Sequence, residues 1–228
     1  MKPSEESGSL QLIFLSIFFH TAEKSQEFMM IELQPTTLTG RYVELVPLER
    51  HHHDELVDAV KDGELWRLWY TSIPEPAAMA AEIERRLGLQ AAGTMLPFAV
   101  IERATNRAVG MTTYMNITPQ GPRMEIGSTW YAQRVQRTPL NTEAKLLLLA
   151  HAFDTHGCIA VEFRTHFLNQ QSRRAIERLG AKLDGILRQH TRMADGSLRD
   201  TCVYSILPSE WPSVRSGLEW KLEKFGTE

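Results

Sequence analysis

The sequence predicts a single α/β domain on a mixed, mostly antiparallel sheet of about seven strands. Three observations carry that reading. β-rich stretches alternate with helical ones along almost the whole chain after residue 30. Three of the β-rich stretches, within 96–131, are joined by short turns and read as an antiparallel meander. Two strand–loop–helix units then follow in tandem over 125–180.

In chain order, residues 38–48 alternate and are β-rich, so they read as one strand. Asp54 can cap a short helix over 55–60. Apolar residues at helical spacing over 64–70 stop at Pro74 and Pro76, and 77–89 reads as an amphipathic helix. Strands over 96–102 and 108–117 flank a turn at Thr105-Asn106. Pro119 to Pro122 turn the chain into a third strand, 123–131. A Leu-rich helix over 141–156 is stopped by Gly157. A strand over 158–167 leads to Asn169, which caps a helix ending at Gly180. Strands over 182–193 and 200–207 surround the turn Ala194-Asp195-Gly196-Ser197, and Pro208 and Pro212 open a last helix running to about Phe225.

The N-terminus stands apart. Residues 10–19 form a run of ten mostly apolar residues. A membrane-spanning helix needs about 20. A signal peptide wants a basic start and a small-residue cleavage site, whereas Glu5 and Glu6 precede this run. Residues 1–30 therefore read as a poorly ordered extension before a single domain over 31–228, with Met29-Met30 ahead of a sensible domain opening. A degenerate membrane anchor is the rival reading.

Of the 228 residues, 43% are hydrophobic and 23% charged, with a net charge of −3. That balance suits a soluble globular protein and gives no electrostatic footprint for nucleic acid. The two cysteines, Cys158 and Cys202, lack metal-ligand or disulfide-framework spacing and read as small buried residues. His51-His52-His53 point in different directions in any regular element, so no metal site is expected there. No G-x-x-x-x-G-K-[S/T] string is present, which argues against a nucleotide-binding P-loop.

The chemistry concentrates in 125–180. A strand ending in a turn that feeds a helix N-terminus suits a phosphorylated ligand. Such turns occur at Gln136-Arg137-Thr138-Pro139-Leu140-Asn141 and at Asn169-Gln170-Gln171-Ser172.

Glu125-Ile126-Gly127, Thr142-Glu143-Ala144, His151-Ala152-Phe153 and Asn169-x-x-Ser172 leading to Arg178-Leu179-Gly180-Ala181 occur in this order. In this the chain resembles the GNAT superfamily of acyl-CoA-dependent N-acyltransferases. More narrowly, it resembles the branch related to the ribosomal-protein alanine acetyltransferases (RimJ/RimL-like). The resemblance spans about 38–207 and implies a GNAT-like three-layer α/β/α fold. It also implies acetyl transfer from acetyl-CoA to a primary amine, of a small molecule or of a peptide or protein N-terminus, by direct attack in a ternary complex and without a metal.

One departure stands in the first loop. Gln136 is in place, but Pro139 and Asn141 stand where the superfamily usually has glycines. Proline has no N–H to donate. The remaining donors are Arg137, Thr138, Leu140, Asn141 and Thr142. Arg137 could add a charge-assisted bond to a phosphate, and Asn141 could cap the helix.

The resemblance also assigns roles. Glu125 is the general base, directly or through water; its other reading is a solvated strand carboxylate. Asn169 would bond the pantetheine arm, and Ser172 would stand near the thioester sulfur, as proton donor or only to orient it. Their other reading is an N-cap and a first-turn polar residue. The backbones of Trp130 and Tyr131 would pair with the pantetheine amides, while their side chains read equally as core. Tyr114, the run Trp66-Arg67-Leu68-Trp69 and His190 would border the acceptor, although each aromatic alone reads as core. Arg173 and Arg174 either face the nucleotide phosphates or are solvated.

A non-catalytic acyl-CoA-binding or sensing module on the same scaffold is the competing function. Cytoplasmic location, no nucleic-acid or membrane partner, and a homodimer through an edge strand complete the expectations.

Overall fold

A computed structural model describes residues 34–118 and 121–225. The apolar run 10–19, the Met29-Met30 opening, and Pro119 and Gln120 of the expected turn lie outside the described residues.

One sheet of eight strands organises the fold, in the order β1-β2-β3-β4-β5-β6-β8-β7. The strands are β1 (Leu38–Thr39), β2 (Val43–Pro47), β3 (Met95–Glu102), β4 (Arg107–Thr118), β5 (Arg123–Tyr131), β6 (Ala160–His166), β7 (Lys182–Arg192) and β8 (Leu198–Ile206). All neighbours are antiparallel except β5 and β6. The helices are α1 (His53–Lys61), α2 (Met79–Ala91), α3 (Pro139–Ala150), α4 (Gln170–Leu179) and α5 (Trp211–Lys224). α1 and α2 cover β3 and β4 on one face. α3, α4 and α5 cover the other, so the layers are α/β/α, and one hydrophobic core runs through them.

The eighth strand comes from the first segment. Residues 38–48 are a tight hairpin and not one strand. Its turn is held by a distant carboxylate: Glu143 on α3 accepts from the backbone N–H groups of Arg41 (2.8 Å), Tyr42 (2.6 Å) and Val43 (2.9 Å). Any side chain at Gly40 would collide with that carboxylate.

Three local expectations are corrected. Asp54 caps nothing: α1 grows from a 3-10 turn (Arg50–His52) and its N-cap is His52. Residues 64–70 form only a 3-10 turn, Leu65–Arg67, after Gly63 and Glu64 enter it with φ of 90° and 47°. So short an isolated segment has too few bonds to sustain a helix. Asn141 is not a cap. Thr138 is: its hydroxyl accepts from Leu140 N (3.3 Å), and Pro139 takes the first helical position, where no N–H is needed. The same helix runs on from Ala150 as a π-helical turn, His151–Thr155, and so ends just before Gly157, where the sequence expects it.

Asn169 does cap α4, its Oδ1 accepting from Ser172 N (3.0 Å), and Gly180 closes the helix at φ 107°. His51, His52 and His53 turn to separate partners, Glu49 Oε2, Glu49 N and Asp54. Cys158 and Cys202 are both buried thiols. No helix of the described residues is long and apolar enough to cross a membrane.

Candidate active site

The site begins where the parallel pair comes apart. β5 and β6 are paired only at Arg123–Ala160, Met124–Val161 and Glu125–Glu162. Beyond this, β5 runs on to Tyr131 and β6 to His166 without pairing, leaving two facing edges whose N–H and C=O groups can take an extended ligand between them. The N-termini of α3 and α4 follow those two strands.

Two bulges shape the apex. Between Met111–Trp130 and Thr113–Gly127, Ser128 and Thr129 of β5 stand against Thr112 alone, and Ser128 adopts φ 48°. A bulge leaves the extra residue outside the ladder. The second lies on β4 between Met115 and Thr118, with Asn116 at φ 50°. It turns the Asn116 amide onto Glu125: Nδ2 donates to Oε2 at 2.7 Å.

Glu125 is 5% exposed, and its carboxylate also lies 3.5 Å from Arg164 Nε. Burial raises its pKa above the usual carboxylate value, against the Asn116 hydrogen bond and the Arg164 charge. Its neighbour across the pair, Glu162, goes the other way. Burial would raise it, but bonds from Arg164 (2.8 Å) and Arg123 outweigh that and hold it below the usual value. The two adjacent carboxylates are thus shifted in opposite directions. Gly127 makes the arrangement possible, since a Cβ there would sit 2.8 Å from Glu125 Oε1.

In the first loop, Gln136 donates through Nε2 to Tyr131 O (3.0 Å), and its Oε1 accepts from Gln171 (3.4 Å), tying strand, loop and α4 together. Arg137 is exposed at φ 62°. Because Thr138 already caps Leu140, the first-turn donors are fewer than the sequence suggested. Asn141 and Thr142 lie inside the first turn of α3. In the second loop the Asn169 carbonyl oxygen is used in capping and its Nδ2 carries no cap bond, while Ser172 is half-buried one turn on. Arg173 is half-buried and engaged: it donates to Tyr204 Oη (3.0 Å) and Phe167 O (3.3 Å) and lies over the Phe167 ring. The Trp130 and Tyr131 side chains are core, 4% and 8% exposed; Trp130 pairs with Met111 of β4, and strand alternation leaves the Tyr131 backbone toward the β6 side.

The residues expected at the acceptor lie apart in the fold. Tyr114 lies on the other face of the sheet, fully buried, with its hydroxyl on Leu148 O at 2.6 Å. Trp66 packs on the core. Trp69 instead is exposed and meets His166 edge to face at 5.3 Å. His190 stays on the Glu125 side of the sheet through Thr201 Oγ1 (3.2 Å). Thr201 pairs with His166, and two residues before it Arg199 is half-buried within electrostatic reach of Glu125. Asn116, Arg164 and Arg199 were missed. Their signal lies in strand register, not in local sequence. Among the described residues no group of three or more metal-ligating side chains gathers.

Comparison with known proteins bears on the family and the fold. The acetyltransferase (GNAT) domain pattern matches residues 43–182. A GCN5-related N-acetyltransferase from Brucella melitensis is 32% identical, with a TM-score of 0.76 over 85% of this chain and 88% of its own. The fold is shared with Mycobacterium smegmatis RimJ in complex with CoA-disulfide, at 21% identity and a TM-score of 0.69 over 82% of this chain and 95% of that one. It is shared too with an acetyl transferase from Salmonella typhimurium that modifies the N-terminal serine of a 50S ribosomal subunit protein. That one is 16% identical, with a TM-score of 0.66 over 75% of this chain and 99% of its own. No curated protein matches.

Proposed function

This chain belongs to the GNAT acetyltransferase domain family, and from that premise we propose that it moves an acetyl group from acetyl-CoA to a primary amine by direct attack in a ternary complex. The observation that carries the reading is the splayed β5–β6 pair with the buried Glu125 at its apex. The open edges suit the amides of a pantetheine arm. The bulge at Ser128 leaves a residue outside the β4–β5 ladder, and a free backbone N–H is the kind of donor a developing oxyanion requires.

In this reading the amine nitrogen forms its bond to the thioester carbon and the carbon–sulfur bond breaks. Glu125, raised by burial, takes the proton the amine loses. Ser172, on the first turn of α4, orients the departing sulfur, and a thiol of pKa about 8.5 needs little help to leave. Asn169 Nδ2 reaches the pantetheine, and Arg137, Thr138, Asn141 and Thr142 face the diphosphate. Trp69, His166 and His190 border the amine. The acceptor is a small amine or a peptide N-terminus; the latter is the kind of substrate that the Salmonella neighbour modifies.

The test is thiol release from acetyl-CoA with a panel of small amines and peptides, beside calorimetry with CoA. Glu125→Gln should retain CoA affinity, lower kcat by about 10²-fold or more and flatten the acidic limb of the pH–rate profile. Tight CoA binding without turnover on any amine would favour a non-catalytic binding module, and no CoA binding would sink both readings.

A further inference from the structure

The β5 bulge is reached from both faces of the sheet by a buried basic side chain. Ser128 holds a left-handed backbone that side chains disfavour, and such a conformation persists only where its neighbours over-determine it. On one face, Arg86 of α2 is 2% exposed. It donates to Ser128 O (3.2 Å) and Thr113 Oγ1 (2.7 Å), with Glu82 on its Nε at 2.7 Å. On the other face, Lys145 of α3 is 6% exposed. Its Nζ donates to Thr129 Oγ1 (3.1 Å) and more weakly to Thr112 Oγ1 (3.5 Å).

Lys145 has no carboxylate within 4 Å among the described residues. A buried amine without a counter-ion is costly, and an apolar side chain would fill the space more stably. Packing therefore supplies no reason for an amine at this place. Its polar neighbours supply one, since both hydroxyls flank the bulge.

We propose that Arg86 and Lys145 are positioning residues that clamp the Ser128–Thr129 bulge from opposite faces, fixing the β5 amides that line the opening against β6. The role in acyl transfer rests on the reading above; neither side chain touches the reacting atoms. Arg86 fixes the bulge through its carbonyl, and Lys145 fixes it through the Thr129 hydroxyl.

The experiment compares wild type with Lys145→Met, Thr129→Val and Arg86→Lys. It reads amide hydrogen exchange over 126–131, CoA affinity by calorimetry, and kcat separately from KM for acetyl-CoA. Thr129→Val is nearly isosteric and guards against loss of folding, and Glu82 keeps Arg85 as a partner when Arg86 is changed. The bulge amides should exchange about tenfold faster or more in all three variants. CoA affinity should stay within about threefold, and kcat should fall by about 10²-fold for Lys145→Met, as for an active-site displacement of about 1 Å. Unchanged exchange at the bulge in Lys145→Met and Thr129→Val would overturn the clamp, as would faster exchange with unchanged kcat. If wild type binds CoA but acetylates no amine, the acyltransfer reading fails and the exchange measurement still decides whether the clamp exists.

Discussion

Lys145→Met should make the protein more stable at neutral pH while making it a poorer catalyst. The lysine is buried with hydroxyl partners only, and burial brings its amine from an ordinary value of 10.5 down to about 7. The folded state thus binds fewer protons than the unfolded one between about pH 7 and 10.5. Stability rises with pH across that window, and the cost of the buried amine is present in full below it. At 1.36 kcal/mol per pH unit this cost is about 4 kcal/mol at pH 7 and falls to a few tenths near pH 10.5. Methionine removes it. It also orphans neither hydroxyl, because Thr112 Oγ1 and Thr129 Oγ1 already lie 2.7 Å apart. Imperfect packing of the new side chain returns about 1–2 kcal/mol. The net gain at pH 7 is therefore about 2–3 kcal/mol, vanishing by pH 10. Guanidinium unfolding of both proteins at pH 7, 8.5 and 10, compared at equal m-values, measures it. A variant less stable than wild type at pH 7, or a stability difference that does not change with pH, would refute the reasoning.

Three further outcomes follow from the site. Gly127→Ala should push the Glu125 carboxylate from its place and lower kcat while CoA affinity holds, read by steady-state kinetics beside calorimetry; an unaltered kcat would remove Glu125 from the reaction. Asn169→Ala should weaken CoA binding by about 1 kcal/mol and destabilise the fold by about the same through the lost cap of α4, so titration and thermal melting should both move. Pro139→Ala restores an N–H at the first position of α3 and should tighten CoA binding by up to about 1 kcal/mol; an unchanged dissociation constant would place the diphosphate away from that turn.

What the sequence reveals here is what its chemistry decides locally. The cap at Asn169 and the stop at Gly180 belong to residues within one helix and read correctly, as do the ends of β5. Thr138-Pro139 is equally local, a cap followed by a proline at the first helical position. Tyr114 failed on parity: the register sets Met115 opposite Glu125, so Tyr114 faces away, and no stretch of sequence shows where the bulges shift that count. Asn116, Arg164, Arg86 and Lys145 acquire roles only when strands far apart in sequence are laid side by side. The N-terminal hairpin is the same case, because its turn is closed by a carboxylate about 100 residues away.

That carboxylate has a consequence for the order of folding. Closing so long a loop is entropically expensive, and its return comes only once α3 presents Glu143 to the turn after β1. The three bonds should therefore form after the transition state, when the meander and α3 are already in place. Glu143→Gln would leave the refolding rate close to that of wild type and speed unfolding, the kinetic signature of a latch that shuts last.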